Sequence, residues 1–188
     1  EAKKLDSTLD PEEEVKKFAV PNLANEGERL FQKGKTNEAI KKLKMAISLD
    51  RRCEGAYEIL EKIYSKNVYR SEYQKYLELL EETIRQYPDY FWAYVKSGLG
   101  YSSLGNYDQA IEKLETAISL NPEEEWAYRV LGIIYKTKGE YNKAIENYNR
   151  AKELMPTKWA YIELGETFGL KKAYSKAIKA LKNALQLD

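Results

Sequence analysis

Three tryptophans, one cysteine and no histidine bound the chemistry open to this chain of 188 residues. Without histidine it lacks the commonest general base near neutral pH and the commonest zinc ligand. Cys53 stands alone, so no internal disulfide can form. With no base beside it in the sequence, it reads as an incidental or packed thiol, a redox or nucleophilic role being the lesser alternative. Carboxylates gather in Glu12-Glu13-Glu14 and Glu123-Glu124-Glu125, but each run follows a proline where a helix is expected to begin. Acidic side chains there complement the helix dipole, which accounts for them without catalysis. No glycine-rich phosphate loop and no spaced set of metal ligands occurs, and Gly98-Leu99-Gly100 belongs to a packing motif. The expectation is no catalytic residue, no cofactor, no metal and no enzyme within this segment.

The tryptophans are the residues whose spacing says most. They occur in the phrases Phe91-Trp92-Ala93-Tyr94, Glu125-Trp126-Ala127-Tyr128 and Lys158-Trp159-Ala160-Tyr161. Each opens one copy of a longer repeat. Tyr94, Ser97, Gly98 and Tyr101, with Ala110, Leu114, Ala117 and Pro122, recur 34 positions later as Tyr128, Leu131, Gly132 and Tyr135, with Ala144, Tyr148, Ala151 and Pro156. Tyr161, Leu164, Gly165 and Phe168 follow one residue early, with Ala177, Leu181 and Ala184. A weaker copy lies upstream in Leu23, Gly27, Leu30, Gly34, Ala39, Leu43 and Ala46. Between them Tyr57, Leu60 and Tyr64 fit a first helix, Glu61 replaces the small residue, and Tyr76, Leu80, Thr83 and Pro88 come three positions late. That delay reads as an insertion near Lys66 to Arg70 that lengthens the turn.

Repetition at this period means stacked helix pairs. Gly98, Gly132 and Gly165, facing Ala110, Ala144 and Ala177, let two helices approach closely. Gly34, Gly105 and Gly139 end first helices with a residue that tolerates positive φ. Asn121-Pro122 and Met155-Pro156 close second helices, because a residue before proline avoids the helical region.

The pattern resembles that of the tetratricopeptide repeat family over residues 20–188. The resemblance implies an all-α, right-handed superhelical solenoid of antiparallel helix pairs. Its repeats would be 20–53, a degenerate 54–90 with the insertion, 91–124, 125–157 and 158–188. Residues 1–19, with Leu5, Leu9, Val15 and Phe18 and a helix start at Asp10-Pro11, would form an N-terminal segment with a short helix capping the first repeat, or would enter the groove of a neighbouring molecule.

In this family the first helices line a concave groove that commonly holds a partner peptide or helix, so the resemblance implies three tryptophans looking into it. At about 100° per residue, the residues three and seven beyond each tryptophan share its face. The expected partner-binding groove is therefore Trp92, Val95, Leu99, Trp126, Arg129, Ile133, Trp159, Ile162 and Glu166, with Lys136 beside them. Half-burying three rings of roughly 200 Å² each would yield about 7 kcal/mol before ordering costs. Equally, each tryptophan could pack on the preceding turn, near Tyr90 or Pro122. The readings that follow are a scaffold or adaptor binding a protein with an apolar segment, a glycan-binding domain with the indoles as platforms, or a regulatory or targeting segment of a larger protein. Val95, Ile133 and Ile162 around the rings suit a peptide better than a glycan.

Family members that capture acidic chaperone tails carry a lysine and an asparagine four apart on one first helix, with basic or amide residues on the next two. The corresponding positions here hold Ala24 and Glu28, Val95 and Leu99, and Ile162 and Glu166. Arg129 alone does not restore that clamp, so strong recognition of acidic tails is not expected.

Composition narrows the classes further. With 32% charged and 43% apolar residues the chain is in the range of a soluble protein, and nothing in it approaches a membrane span. A net charge of +1 leaves no nucleic-acid footprint. Lys171, Lys172, Lys176, Lys179 and Lys182 bias the last hairpin positively and read as a solvated face. The last helix also shows Ala177, Ile178, Ala180, Leu181, Ala184, Leu185 and Leu187, a stripe that wants a neighbour. A start at Glu1 and an end without a polar capping helix suggest a fragment, or self-association through that helix. No address segment is visible, so the compartment stays open, the cytoplasm slightly favoured.

Overall fold

The computed structural model describes residues 11–66 and 70–187. Among them all regular structure is helical: α1 (Pro11–Gln32), α2 (Thr36–Leu49), α3 (Glu54–Lys66), α4 (Arg70–Gln86), α5 (Phe91–Ser103), α6 (Tyr107–Leu120), α7 (Glu125–Thr137), α8 (Tyr141–Leu154), α9 (Lys158–Leu170) and α10 (Tyr174–Leu185). Successive helices pair as α1 with α2, α5 with α6, α7 with α8 and α9 with α10.

Small residues set the approach within each pair. A Cβ added at Gly27 would lie 2.7 Å from Leu43, at Gly98 2.6 Å from Leu114, at Gly165 2.7 Å from Leu181, and at Gly132 it would overlap the ring of Tyr148. The turn after each first helix repeats as well. Gly34, Gly105 and Gly139 adopt φ of 76°, 79° and 76°, and in the last repeat Lys172 takes the same left-handed conformation at φ 61°.

The chain divides into two compact units, 1–79 and 80–188, with the boundary inside α4. In the first, α3 packs on both α1 and α2. The N-terminal boundary expected at 19/20 falls inside α1, which runs unbroken through Pro21; residues 1–10, with Leu5 and Leu9, lie outside the described residues. The degenerate repeat has no small-residue crossing. Tyr76 stands where other second helices carry alanine, and its ring meets Tyr73 at 5.7 Å, Tyr64 at 6.1 Å and Tyr57 at 6.4 Å. The turn in which the insertion is expected, positions 67–69, lies outside the described residues. The helix that follows, α4, has 17 residues against 14 in α2, α6 and α8. Arg70-Ser71-Glu72 add a turn to the front of α4.

In the second unit α7 packs against α5 and α6, and α9 against α8. The core runs through Leu114, Ala117, Val130, Leu131, Ile134, Tyr148 and Leu164. Leu114 and Tyr148 are fully buried, whereas Leu181, at the same register in α10, is 42% exposed, and Leu185 is 70% exposed.

Candidate functional site

The first helices α5, α7 and α9 carry the tryptophans, and local sequence fixes where each ring begins. At the start of α7 the Glu124 carboxylate accepts from the backbone N–H of Trp126 at 3.2 Å, using one of the donors a helix N-terminus leaves unpaired. At the start of α9 the Thr157 hydroxyl accepts from the N–H of Ala160 at 3.3 Å. Glu125 departs from the expectation that its run merely complements the dipole. Its side chain turns inward toward Arg129, one turn on, with Oε1 3.6 Å from Nε.

Arg129 joins two of the tryptophans. Its guanidinium carbon lies 4.2 Å from the ring centroid of Trp126 and 3.9 Å from that of Trp159, so the cation is held between two indoles from consecutive repeats. Such contacts contribute about 0.5–2 kcal/mol each. Behind Trp159 stands Tyr148, edge-on at 5.6 Å and 82°. Burial pushes the Tyr148 hydroxyl well above the ordinary tyrosine range, with the Glu163 carboxylate adding to the effect. Burial likewise raises the Glu125 carboxyl, against the opposing pull of Arg129 and with a smaller push from Glu124.

The expected groove residues divide by exposure and by partner. Trp126 and Ile133 are 38% and 40% exposed, and with Arg129 they make the open part of the α7 face. Val95 is core, only 3% exposed, and offers no surface; Leu99, Trp159 and Ile162 are half-buried, Leu99 and Trp159 packing on that core. Lys136 donates to Glu163 at 2.5 Å and to Glu166 at 3.1 Å, which ties α7 to α9. Burial alone would lower the Lys136 pKa, but these two carboxylates outweigh it and raise it. Trp92 follows the packing alternative, lying on Tyr90 at 5.9 Å and 19°, with the Lys96 ammonium 5.2 Å from its centroid.

Glu81, absent from the expected residues, organises the neighbouring junction. One of its oxygens accepts from the Ser97 hydroxyl at 2.9 Å and the Tyr101 hydroxyl at 3.3 Å, the other from Lys113 at 2.7 Å. The signal was present in the sequence: Ser97, fully buried, stands where the next repeats carry Leu131 and Leu164. A buried hydroxyl needs a partner. Cys53 is half-buried, and burial, with Asp50 and Glu54, pushes its thiol up against a backbone hydrogen bond at Ala56, away from nucleophilic character. Among the described residues no group of three metal-ligating side chains occurs.

Helix hairpins repeated in register, with the exposed apolar side chains of this face on first helices, define a helical repeat protein. Comparison with known proteins agrees. The TPR repeat family matches residues 98–139 and the Tetratricopeptide repeat family residues 126–158. Residues 98–158 carry tetratricopeptide repeats. No curated protein matches its sequence. Among solved structures, a crystal structure of MamA is 27% identical with a TM-score of 0.69, covering 85% of this chain and 92% of that one. MamA 41-end from Desulfovibrio magneticus RS-1 is 21% identical, TM-score 0.70, covering 90% and 95%. The thermophilic TPR protein TTC0263 of Thermus thermophilus is 22% identical, TM-score 0.68, covering 90% and 91%. The last two likenesses bear on fold alone.

Proposed function

We propose that this chain is a protein-interaction scaffold whose second unit takes a partner segment on the first-helix face of α5, α7 and α9. The observation that carries the reading is the pair Trp126 and Ile133, large apolar side chains left open beside a fixed Arg129. Exposed apolar side chains grouped on one face mark interaction sites when polar groups rim them. The tetratricopeptide repeats at residues 98–158 and the likeness to MamA support the same reading. The contact area centres on Trp126, Arg129, Ile133, Ile162 and Glu166, with Trp159 and Lys136 as its frame. Trp92, Val95 and Leu99 support it from below or beside.

A glycan platform is less well supported, because each indole already carries a cation of its own chain, Lys96 near Trp92 and Arg129 between Trp126 and Trp159. Acrylamide quenching of single-tryptophan variants tests the face. Emission from Trp126 should be red-shifted and readily quenched, that from Trp159 shielded. Equal shielding of Trp126 would mean the face is closed and would defeat the reading. On α10 the open Ile178, Leu181 and Leu185 support the expected self-association as a second contact. No helix among the described residues is long and apolar enough to cross a membrane.

A further inference from the structure

Arg129 is held in a way that leaves one side of it unused. Its guanidinium carbon lies over the rings of both Trp126 and Trp159. Its Nε is buried, opposite Glu125 at 3.6 Å and too far for a hydrogen bond. Among the described residues none accepts a hydrogen bond from the two Nη groups, and the side chain keeps 22% of its surface exposed. A long flexible side chain is thus held by two rings and left with an unpaired fork of Nη donors, between an exposed indole and, one turn along, the exposed Ile133.

That fork matches one chemical group above others. Two parallel N–H donors in a plane pair with the two oxygens of a carboxylate, and such charge-assisted forks are about twice as strong as neutral hydrogen bonds. Much of the rotamer freedom an arginine normally loses on binding is already lost here. The neighbours limit how much acid the partner can carry. Two turns along α7 from Arg129, Lys136 is occupied by Glu163 and Glu166, and Glu166 keeps an exposed carboxylate on this face. A second acidic residue laid in that direction would meet like charge.

We infer that the partner segment presents a single aspartate or glutamate to the Nη edge of Arg129, flanked by apolar residues that rest on Trp126 and Ile133. This rests on the reading of the α7 face as a protein-binding surface. It differs from capture of an acidic run or of a chain terminus: one internal carboxylate in an apolar sequence is what the arrangement fits.

The test is selection from a random dodecapeptide display library on the full chain, counter-selected on Trp126→Ala, with synthetic copies of the winners measured by tryptophan fluorescence. The expected winners share one Asp or Glu beside an apolar residue. Replacing that acid by Asn or Gln in the peptide should weaken binding at least tenfold, a comparison that needs no change to the protein. Arg129→Gln should cost a similar factor, and Arg129→Lys, which keeps the charge but loses the fork, most of it. Winners that lack an acid, or that bind equally after its neutralisation, would overturn the carboxylate while leaving the face as a binding site. Absence of any peptide sensitive to Trp126→Ala would overturn the face itself and the inference with it.

Discussion

Tyr148 fills the position that Leu43, Leu114 and Leu181 hold in the other glycine-containing repeats, and its longer ring reaches from Gly132 to Trp159. Gly132→Ala puts a methyl group into that ring, which the neighbouring Trp159 and the core prevent from retreating. A loss of about 1–3 kcal/mol is expected in urea unfolding. Gly55→Ala serves as the control, since open space surrounds Gly55 inside α3 and alanine should gain about 0.5–1 kcal/mol. If both substitutions behave alike, close approach at Gly132 is not what its glycine provides. The sequence made the small residues legible because sterics at a helix crossing act on residue type alone. It put Arg129 and the tryptophans on one face, but the cation between Trp126 and Trp159 was not legible. That contact joins residues in consecutive repeats and depends on side-chain rotamers that become fixed only when the repeats stack. Val95 failed in the opposite direction. Its helical angle placed it with Trp92, yet helical angle does not say which face a neighbouring repeat covers.

Among the elements, the turn that closes each first helix offers a clean comparison. Lys172 bears the steric cost of the left-handed region that Gly34, Gly105 and Gly139 avoid. Its N–H still bonds the Gly169 carbonyl at 2.8 Å, as Gly139 bonds Lys136 at 3.1 Å and Gly105 bonds Ser102 at 3.0 Å. Lys172→Gly should therefore stabilise the chain by about 1 kcal/mol, seen as a rise of roughly 2–4 °C in the thermal midpoint by circular dichroism. An unchanged or lower midpoint would mean that the lysine stem offsets the strain. The helix pairs were legible because glycine, alanine and proline mark crossings and ends by backbone geometry. The extra turn of α4 was not, because the three-residue delay is visible in sequence without saying that Arg70-Ser71-Glu72 are helical. The continuity of α1 through Pro21 escaped for a related reason, since a proline in a helical pattern usually marks a boundary.

Across the whole molecule, each unit encloses a tyrosine that resists ionisation. Tyr76 in the first and Tyr148 in the second are raised mainly by burial. The folded chain keeps these protons above the pH, about 10, at which the unfolded chain releases them. More protons bound in the folded state means stability that falls as pH climbs past that value. Helix loss above pH ~10 should accompany tyrosinate absorbance, and Tyr148→Phe should move this alkaline transition upward; non-cooperative ionisation in a fully helical chain would refute it. At neutral pH, the apolar stripe of α10 predicts a mass that grows with concentration in sedimentation and returns to the monomer in Leu185→Glu. Constant monomer mass up to millimolar protein would count against that contact. The polar links at equivalent turns differ in kind. Lys138 at the end of α7 holds Asp108 at 2.8 Å, whereas Lys171 at the end of α9 holds the uncharged Asn142. Salt screens the first link and largely spares the second, and the second junction also carries the Arg129 and Lys136 contacts. As an elastic body, then, the second unit has one joint held by an ion pair with a fully open aspartate and another whose ion pairs are partly buried, so added salt should soften its bending more at the joint between α6 and α7 than at the next.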